Sequence, residues 1–236
     1  MLETIDSTND EALRRINTGV VGGEVILARR QTAGRGRHGQ TWESPPGNLY
    51  LSITVDPPDG RPVGELAFVA GLAAAEAIEA ATGGNVRVML KWPNDLMHAG
   101  RKLGGLLIEG ATGTGVRTLA VGLGVNLVSF PENASYPATS LAEAGCRVEA
   151  IAVAQAFHNH LDGWLRNWAN NCFEPVRTAW LARAAGLGGE LVVHLPDGKE
   201  WIGLFQDIDE QGALVLQTEN GMTRTVTAGA IFSVTG

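Results

Sequence analysis

The sequence predicts an α+β fold: a mixed, largely antiparallel sheet with helices packed on one side, followed by a small all-β unit. Three observations carry this. Strand-length apolar runs recur between turn signals over residues 24–127. Two long stretches, residues 64–82 and 149–168, have the spacing or alanine content of buried and amphipathic helices. After Gly186-Leu187-Gly188-Gly189 the pattern shifts to short alternating runs separated by turns. The expected division is a main domain over residues 1–187 and a small barrel over residues 188–236.

Composition narrows the function classes. Of 236 residues, 44% are hydrophobic and 18% charged, which is the make-up of a folded chain and not of a disordered one. The net charge of −7 argues against a nucleic-acid partner, because binding a phosphate backbone wants a broad basic face. The two cysteines, Cys146 and Cys172, are too few for a disulfide scaffold and have no metal-ligand spacing. Cys172 is expected to open an apolar helix. The N-terminus lacks the charged start and apolar run of a signal peptide, and no apolar stretch has the length of a membrane span. A cytoplasmic protein with no membrane partner is expected.

In chain order, Ser7-Thr8-Asn9 precedes Asp10-Glu11, and Ala12, Leu13 and Ile16 give an apolar face. This is a capped helix start, and such runs usually mean no more. The functional alternative is that three small polar groups at a helix N-terminus also face an uncharged urea or amide. Residues 24–31 form a strand that leads into Gln31-Thr32-Ala33-Gly34-Arg35-Gly36-Arg37-His38-Gly39-Gln40-Thr41-Trp42. Arg29, Arg30, Arg35 and Arg37 fall between Val25 and Trp42 with no acidic residue among them, a local reversal of sign in an acidic chain. Glycine spacing lets backbone N–H groups approach an anion, and arginines add forked donors. The competing account is a solvated basic turn.

Residues 49–55 alternate as the next strand, and 64–82 follow as a buried helix ended by Gly83-Gly84. Residues 86–91 form a strand that runs into Trp92-Pro93-Asn94-Asp95, where Pro93 keeps Trp92 extended and Asn94-Asp95 favours a turn. A hairpin turning at Ala99-Gly100 then carries Lys102 beside Gly104-Gly105. A lone lysine there would be a solvated strand residue. Flanked by that turn and the glycine pair, it is a candidate to hold an anion. His98 is expected to cap the hairpin in solvent.

Residues 117–127 form a strand containing Gly122-Leu123-Gly124-Val125-Asn126. This is no dinucleotide fingerprint, since it lacks a third glycine and a following helix. It is either a glycine-kinked strand or one bared so that something flat can lie on it. The loop over 128–139, with Phe130 and Tyr136, is placed to close over a base. Helices follow at 149–168 and 173–185, with Trp164, Trp168 and Trp180 as core residues. His158 and His160 do not share a helix face and are not read as metal ligands. Turns at Pro196-Asp197-Gly198-Lys199, Asp209-Glu210-Gln211-Gly212 and Glu219-Asn220-Gly221 divide the C-terminal strands.

Each motif alone is weak or moderate. Their order, Ser7-Thr8-Asn9, the glycine-arginine loop with Trp42, Lys91-Trp92-Pro93-Asn94-Asp95, Lys102-Leu103-Gly104-Gly105, then Gly122-Leu123-Gly124-Val125-Asn126 and an all-β tail, resembles the biotin protein ligases over essentially the whole chain. The resemblance implies a class II synthetase-like main domain and an SH3-like barrel. With Ser7 so near the start, a ligase-only form is expected, without an N-terminal DNA-binding domain.

The resemblance also implies a two-step reaction. Biotin is activated with ATP as biotinyl-5'-AMP, and the biotinyl group then passes to a lysine of a biotin carboxyl carrier protein domain. By this likeness Lys102, Asp95 and Arg37 form the catalytic set. Ser7, Thr8, Asn9, Gln31, Gly34, Arg35, Gly36, Arg37 and Lys102 match biotin-binding positions. Arg35, Arg37, Trp42, Lys91, Asn94, Lys102 and Asn126 match positions for ATP or the adenylate. ATP and Mg²⁺ are the expected cofactors, with no protein cage for the metal. The loop over 128–139 has no tryptophan, so no adenine-stacking residue is named. A homodimer through sheet edges is compatible with the sequence and not required by it. The alternatives are a lipoate protein ligase with the same chemistry and a non-catalytic biotin or nucleotide sensor. The presence of both Lys102 and Asp95 argues against a sensor, which need not keep both.

Overall fold

The computed structural model describes residues 1–110, 117–132, 136–195, 198–227 and 229–233. In chain order, α1 is Thr8–Asn17, β1 Val25–Ala28, β2 Leu49–Val55, α2 Leu66–Ala81 and β3 Met89–Lys91. Then come β4 Asp95–His98, β5 Arg101–Gly110, β6 Leu119–Val125, α3 Ala150–Asn171 and α4 Glu174–Leu181. The C-terminal strands are β7 Glu190–His194, β8 Glu200–Ile208, β9 Leu214–Gln217, β10 Thr223–Val226 and β11 Ala230–Ser233.

The main sheet has the order β1-β2-β6-β5-β4-β3, with every neighbouring pair antiparallel. Its mixed character comes from the N-terminal segment, which bridges in parallel from Leu2 to Ala28 and from Ile5 to Gln31. All seven residues of β2 are buried, so both faces of the sheet are covered there. Leu49, Leu51, Ile53 and Val55 join the core that contains α2 and α3. α2 is apolar almost all round because it lies between the sheet and α3. Trp168 and Trp180 are fully buried in that core, as the sequence suggests. The short α1 lies across the opposite face, where Ala12 and Ile16 pack with Ile26 and Ala120.

Local chemistry fixes α1. Ser7 is extended, and its Oγ accepts the Asp10 N–H at 3.3 Å. Asp10 and Glu11 stand in the first turn and Arg14 and Arg15 in the last, which suits the helix dipole. The hairpin at Ala99-Gly100 is present as expected, but His98 is not simply solvated: its Nδ1 lies 2.9 Å from the Arg87 carbonyl. β3 is shorter than the expected 86–91, since only Met89–Lys91 ladder with β4, while Val86 and Val88 serve the core. Cys172 does not open a helix. It ends α3 at φ +64° and is exposed, and α4 begins two residues later.

The C-terminal strands form an antiparallel sheet in the order β10-β9-β8-β7-β11. Its β8–β9 turn docks on the main body, where the Trp92 indole Nε1 donates to the Gly212 carbonyl at 3.0 Å. Arg177 of α4 donates to the Ile208 carbonyl at 2.6 Å and pairs with Asp207. One hydrophobic core runs from α2 through Leu191, Phe205 and Leu214. The expected turn at Pro196-Asp197 and part of the loop over 128–139, residues 133–135, lie outside the described residues. Among the described residues no helix is long and apolar enough to cross a membrane.

Candidate functional site

A cleft of about 750 Å³ opens where α1, the glycine-arginine loop, β3 to β6 and the C-terminal sheet meet. It gathers Ser7, Thr8, Asn9, Gln31, Arg35, Gly36, Arg37, Trp42, Lys91, Asn94, Asp95 and Lys102 from segments far apart in sequence. Gly34 and Asn126 do not line it. A Cβ on Gly34 would stand 2.5 Å from the Trp42 carbonyl and 2.6 Å from Ser44 Oγ, so this glycine serves the close packing of the loop's base. Asn126 is buried with its Nδ2 on the Thr139 carbonyl at 3.0 Å, which ties the end of β6 to the 128–139 loop.

One end of the cleft is uncharged and strongly hydrogen-bonded. Ser52 Oγ on β2 lies 2.8 Å from Thr8 Oγ1 and 2.7 Å from Asn9 Oδ1. Gln31 Oε1 accepts from the Thr8 N–H at 2.8 Å, and Gln31 Nε2 donates to Ser44 Oγ at 3.0 Å. Asn9 Nδ2 donates to Glu109 Oε2 at 2.9 Å and to the Leu107 carbonyl at 3.2 Å. Thr8 and Asn9 are less than 5% exposed. Buried polar groups this fully paired hold fixed orientations. Gly122 on β6 makes room for Asn9, because a Cβ there would overlap the Asn9 amide. Two residues further along β6, a Cβ on Gly124 would stand 2.8 Å from the Trp42 indole. The flat group that lies on the bared strand is thus the chain's own Trp42. Its Nε1 is buried with no hydrogen-bond partner among the described residues.

The other end is charged. Lys102 Nζ pairs with Asp95 Oδ1 at 2.7 Å and lies 5.6 Å from the Trp42 ring centroid and 4.8 Å from that of Tyr136. Burial pushes Arg37 below its ordinary value, and the Asp95 charge opposes the shift. Burial likewise lowers Lys91, with Asp95 opposing and Lys102 adding to the fall. Arg37, Lys91 and Lys102 all feel the Asp95 charge, and this gathering of cations suits an anion. Asn94 clips the turn to β5: its backbone carbonyl accepts from the Leu106 N–H at 2.9 Å and its side chain donates to the Leu106 carbonyl.

The loop closes on itself as a small hairpin. The Gly36 N–H donates to the Gln40 carbonyl at 2.7 Å, and a short 3₁₀ turn at Arg37–Gly39 carries His38 at φ +54°. Its two arginines have different surroundings. Arg37 has no carboxylate within ion-pair distance among the described residues. The Arg35 guanidinium is turned away from the anion end: it pairs with Glu109 Oε1 at 2.9 Å and with Asp10, and the Glu109 hydrogen bond raises it further above its ordinary value. Two carboxylates take up the charge of Arg35, which the sequence places among the biotin and adenylate positions.

The sequence did not single out Ser52, Asp10 or Glu109 as site residues, nor Leu191, Gly229 and Ile231, which bring the C-terminal sheet to the cleft wall. Ser52 alone left a trace, as a small polar residue within Leu49-Tyr50-Leu51-Ser52-Ile53.

Comparison with known proteins gives a concordant picture. Residues 1–126 match the biotin/lipoate A/B protein ligase family, and residues 193–233 match the biotin protein ligase C terminal domain. The chain is 37% identical over 240 residues to a biotin--[acetyl-CoA-carboxylase] ligase of Paracoccus denitrificans, covering 98% of this chain and 99% of that protein. It is 33% identical to the bifunctional ligase/repressor BirA of Escherichia coli, over 98% of this chain and 72% of that one. Among solved structures, the Aquifex aeolicus biotin protein ligase in complex with biotin and ATP superposes with a TM-score of 0.85 at 28% identity, covering 98% of this chain and 96% of that one. By its two matching segments and its full-length relatives, the chain belongs to the biotin/lipoate A/B protein ligase family.

Proposed function

We infer that this chain is an ATP-dependent biotin protein ligase, which makes biotinyl-5'-AMP and passes the biotinyl group to a lysine of a carrier protein domain. The observation that carries it is the polarity of one cleft: a neutral hydrogen-bonding end at Thr8, Asn9 and Gln31, backed by the buried Ser52, and a cationic end at Arg37, Lys91 and Lys102 around Asp95. Biotin has the matching polarity, with an uncharged ureido ring at one end and a carboxylate at the other.

In the first step a biotin carboxylate oxygen attacks the α-phosphorus of ATP, and the bond to pyrophosphate breaks. Two anions must approach, and fixed positive charge offsets their repulsion. Lys102 and Arg37 are the groups assigned to this work, with Lys91 beside them. The Lys102–Asp95 pair holds the lysine at the cleft until the ligand's charge competes for it. In the second step the carrier lysine nitrogen attacks the acyl carbon and AMP leaves. The attacking ammonium must lose a proton, and Asp95 is the carboxylate placed to orient or accept it. The loop backbone at Arg35, Gly36 and Arg37 is assigned to covering the anhydride against water. Among the described residues no three His, Cys, Asp or Glu side chains converge as metal ligands. Magnesium is expected to be held mainly by the triphosphate and water that it arrives with.

The deciding experiment is biotin-dependent exchange of pyrophosphate into ATP, run beside lipoate. Exchange with biotin, falling about 10²- to 10³-fold in Lys102→Ala, is expected. Exchange with lipoate alone would move the activity to the sister branch of the family. Biotin binding without exchange would leave only a sensor.

A further inference from the structure

We propose that Glu109 and Asp10 are positioning residues, which use Arg35 as a tether to hold the glycine-arginine loop shut over the acyl adenylate. This rests on the ligase function inferred above and adds to it a means of keeping the reactive intermediate. Among the described residues, Arg35 is the one loop side chain whose charge is paired on two other elements. Its Nη1 and Nη2 meet both oxygens of Glu109 on β5, at 2.9 Å and 3.3 Å, while Nη2 also pairs with Asp10 on α1. A forked guanidinium held by two carboxylates has little freedom to turn.

The same Glu109 carboxylate accepts from Asn9 Nδ2 at 2.9 Å. One group therefore fixes both an amide at the neutral end of the cleft and the loop that covers it. Without the tether, the loop keeps the contacts at its base, such as Gln31 with Ser44 and the Trp42 N–H on the Gly34 carbonyl at 2.9 Å, and its own internal hairpin. Its tip, which carries Arg37, would then open more often. A mixed anhydride beneath an opening loop escapes into water or meets the amines of any nearby protein. The tether thus acts on where the adenylate goes more than on how fast it forms.

The test uses the full chain with Glu109→Gln, which removes the charge but keeps an acceptor for Asn9, and Asp10→Asn as an independent second variant. Two readouts are made. The first is hydrogen exchange of the amides over residues 36–42 without ligand, normalised to the exchange of β6. The second is the ratio of adenylate released into solution, or of label on a bystander protein, to label on the carrier. Loop exchange faster by about tenfold, with the release ratio up by a similar factor and the unfolding midpoint nearly unmoved, is the expected result. Loop exchange equal to that of the unaltered chain in both variants would overturn the proposal. Because that readout needs no biotin, it decides the tether even if the unaltered chain made no adenylate, an outcome that would count against the ligase function instead.

Discussion

At the scale of single residues, the site turns on which charges are already committed. Arg35 and Arg37 are two apart in sequence and look alike there, yet Arg35 is held by Glu109 and Asp10 while Arg37 faces the Asp95 cluster. The sequence contained the arginines but not their partners, because Glu109 lies 74 residues from Arg35 and only the sheet brings them together. Ser52 was hidden for a related reason: an alternating strand does not say which of its faces a helix will cover. Asp95 is the informative residue to change. Asp95→Asn removes the negative partner of Lys102, so binding of anionic ligands should hold or tighten. The carrier amine, however, loses its nearby carboxylate, and transfer should fall by about 10²-fold. Pyrophosphate exchange and carrier labelling measured on one preparation separate the two steps. An equal loss in both would make Asp95 a structural partner of Lys102 and nothing more.

At the scale of elements, β6 and α1 act as a fitted pair. The bareness of Gly122 and Gly124 was legible in the sequence, but not that Asn9 and Trp42 of the same chain occupy the space. Gly122→Ala puts a methyl against the Asn9 amide, and overpacking of this kind costs about 1–3 kcal/mol. It should weaken biotin binding in titration calorimetry before it affects ATP binding, since Asn9 lies at the neutral end. The α2–α3 pair carries a different kind of strain. Glu65 is only 4% exposed and accepts the Trp168 indole N–H. Burial pushes its pKa above the usual 4.5, with the Trp168 bond opposing. A carboxyl raised in the folded state binds more protons folded than unfolded between its two pKa values, so stability falls as pH rises through that window. Glu65→Gln keeps an acceptor for Trp168 and removes the penalty. Thermal melts should show a higher midpoint for the variant near pH 7 and no gain near about pH 3.5, where the carboxyl is protonated in both states.

At the scale of the molecule, the sequence marked the change of composition after Gly186-Leu187-Gly188-Gly189 but not how firmly the two parts join. Turn residues announce a small β unit locally, whereas the docking depends on contacts between distant segments. Gly212 stands at φ +82°, its carbonyl takes the Trp92 indole N–H, and a Cβ there would lie 2.5 Å from the Phe68 ring. Trp92 opens the turn that carries Asn94 and Asp95, so the C-terminal sheet braces the charged end of the cleft from behind. A shared core and a braced site argue that the two parts unfold together. Calorimetry of the full chain should give one transition with matching calorimetric and van't Hoff enthalpies. Gly212→Ala should lower that single midpoint, since left-handed backbone costs a side chain about 1–2 kcal/mol even before the contact with Phe68 is counted. Pyrophosphate exchange should fall with it at temperatures where the variant is still folded, because Trp92 loses its anchor and the Asn94–Asp95 turn loosens. Two resolved transitions, with only the lower one shifted and exchange intact, would instead make the C-terminal sheet a separate passenger.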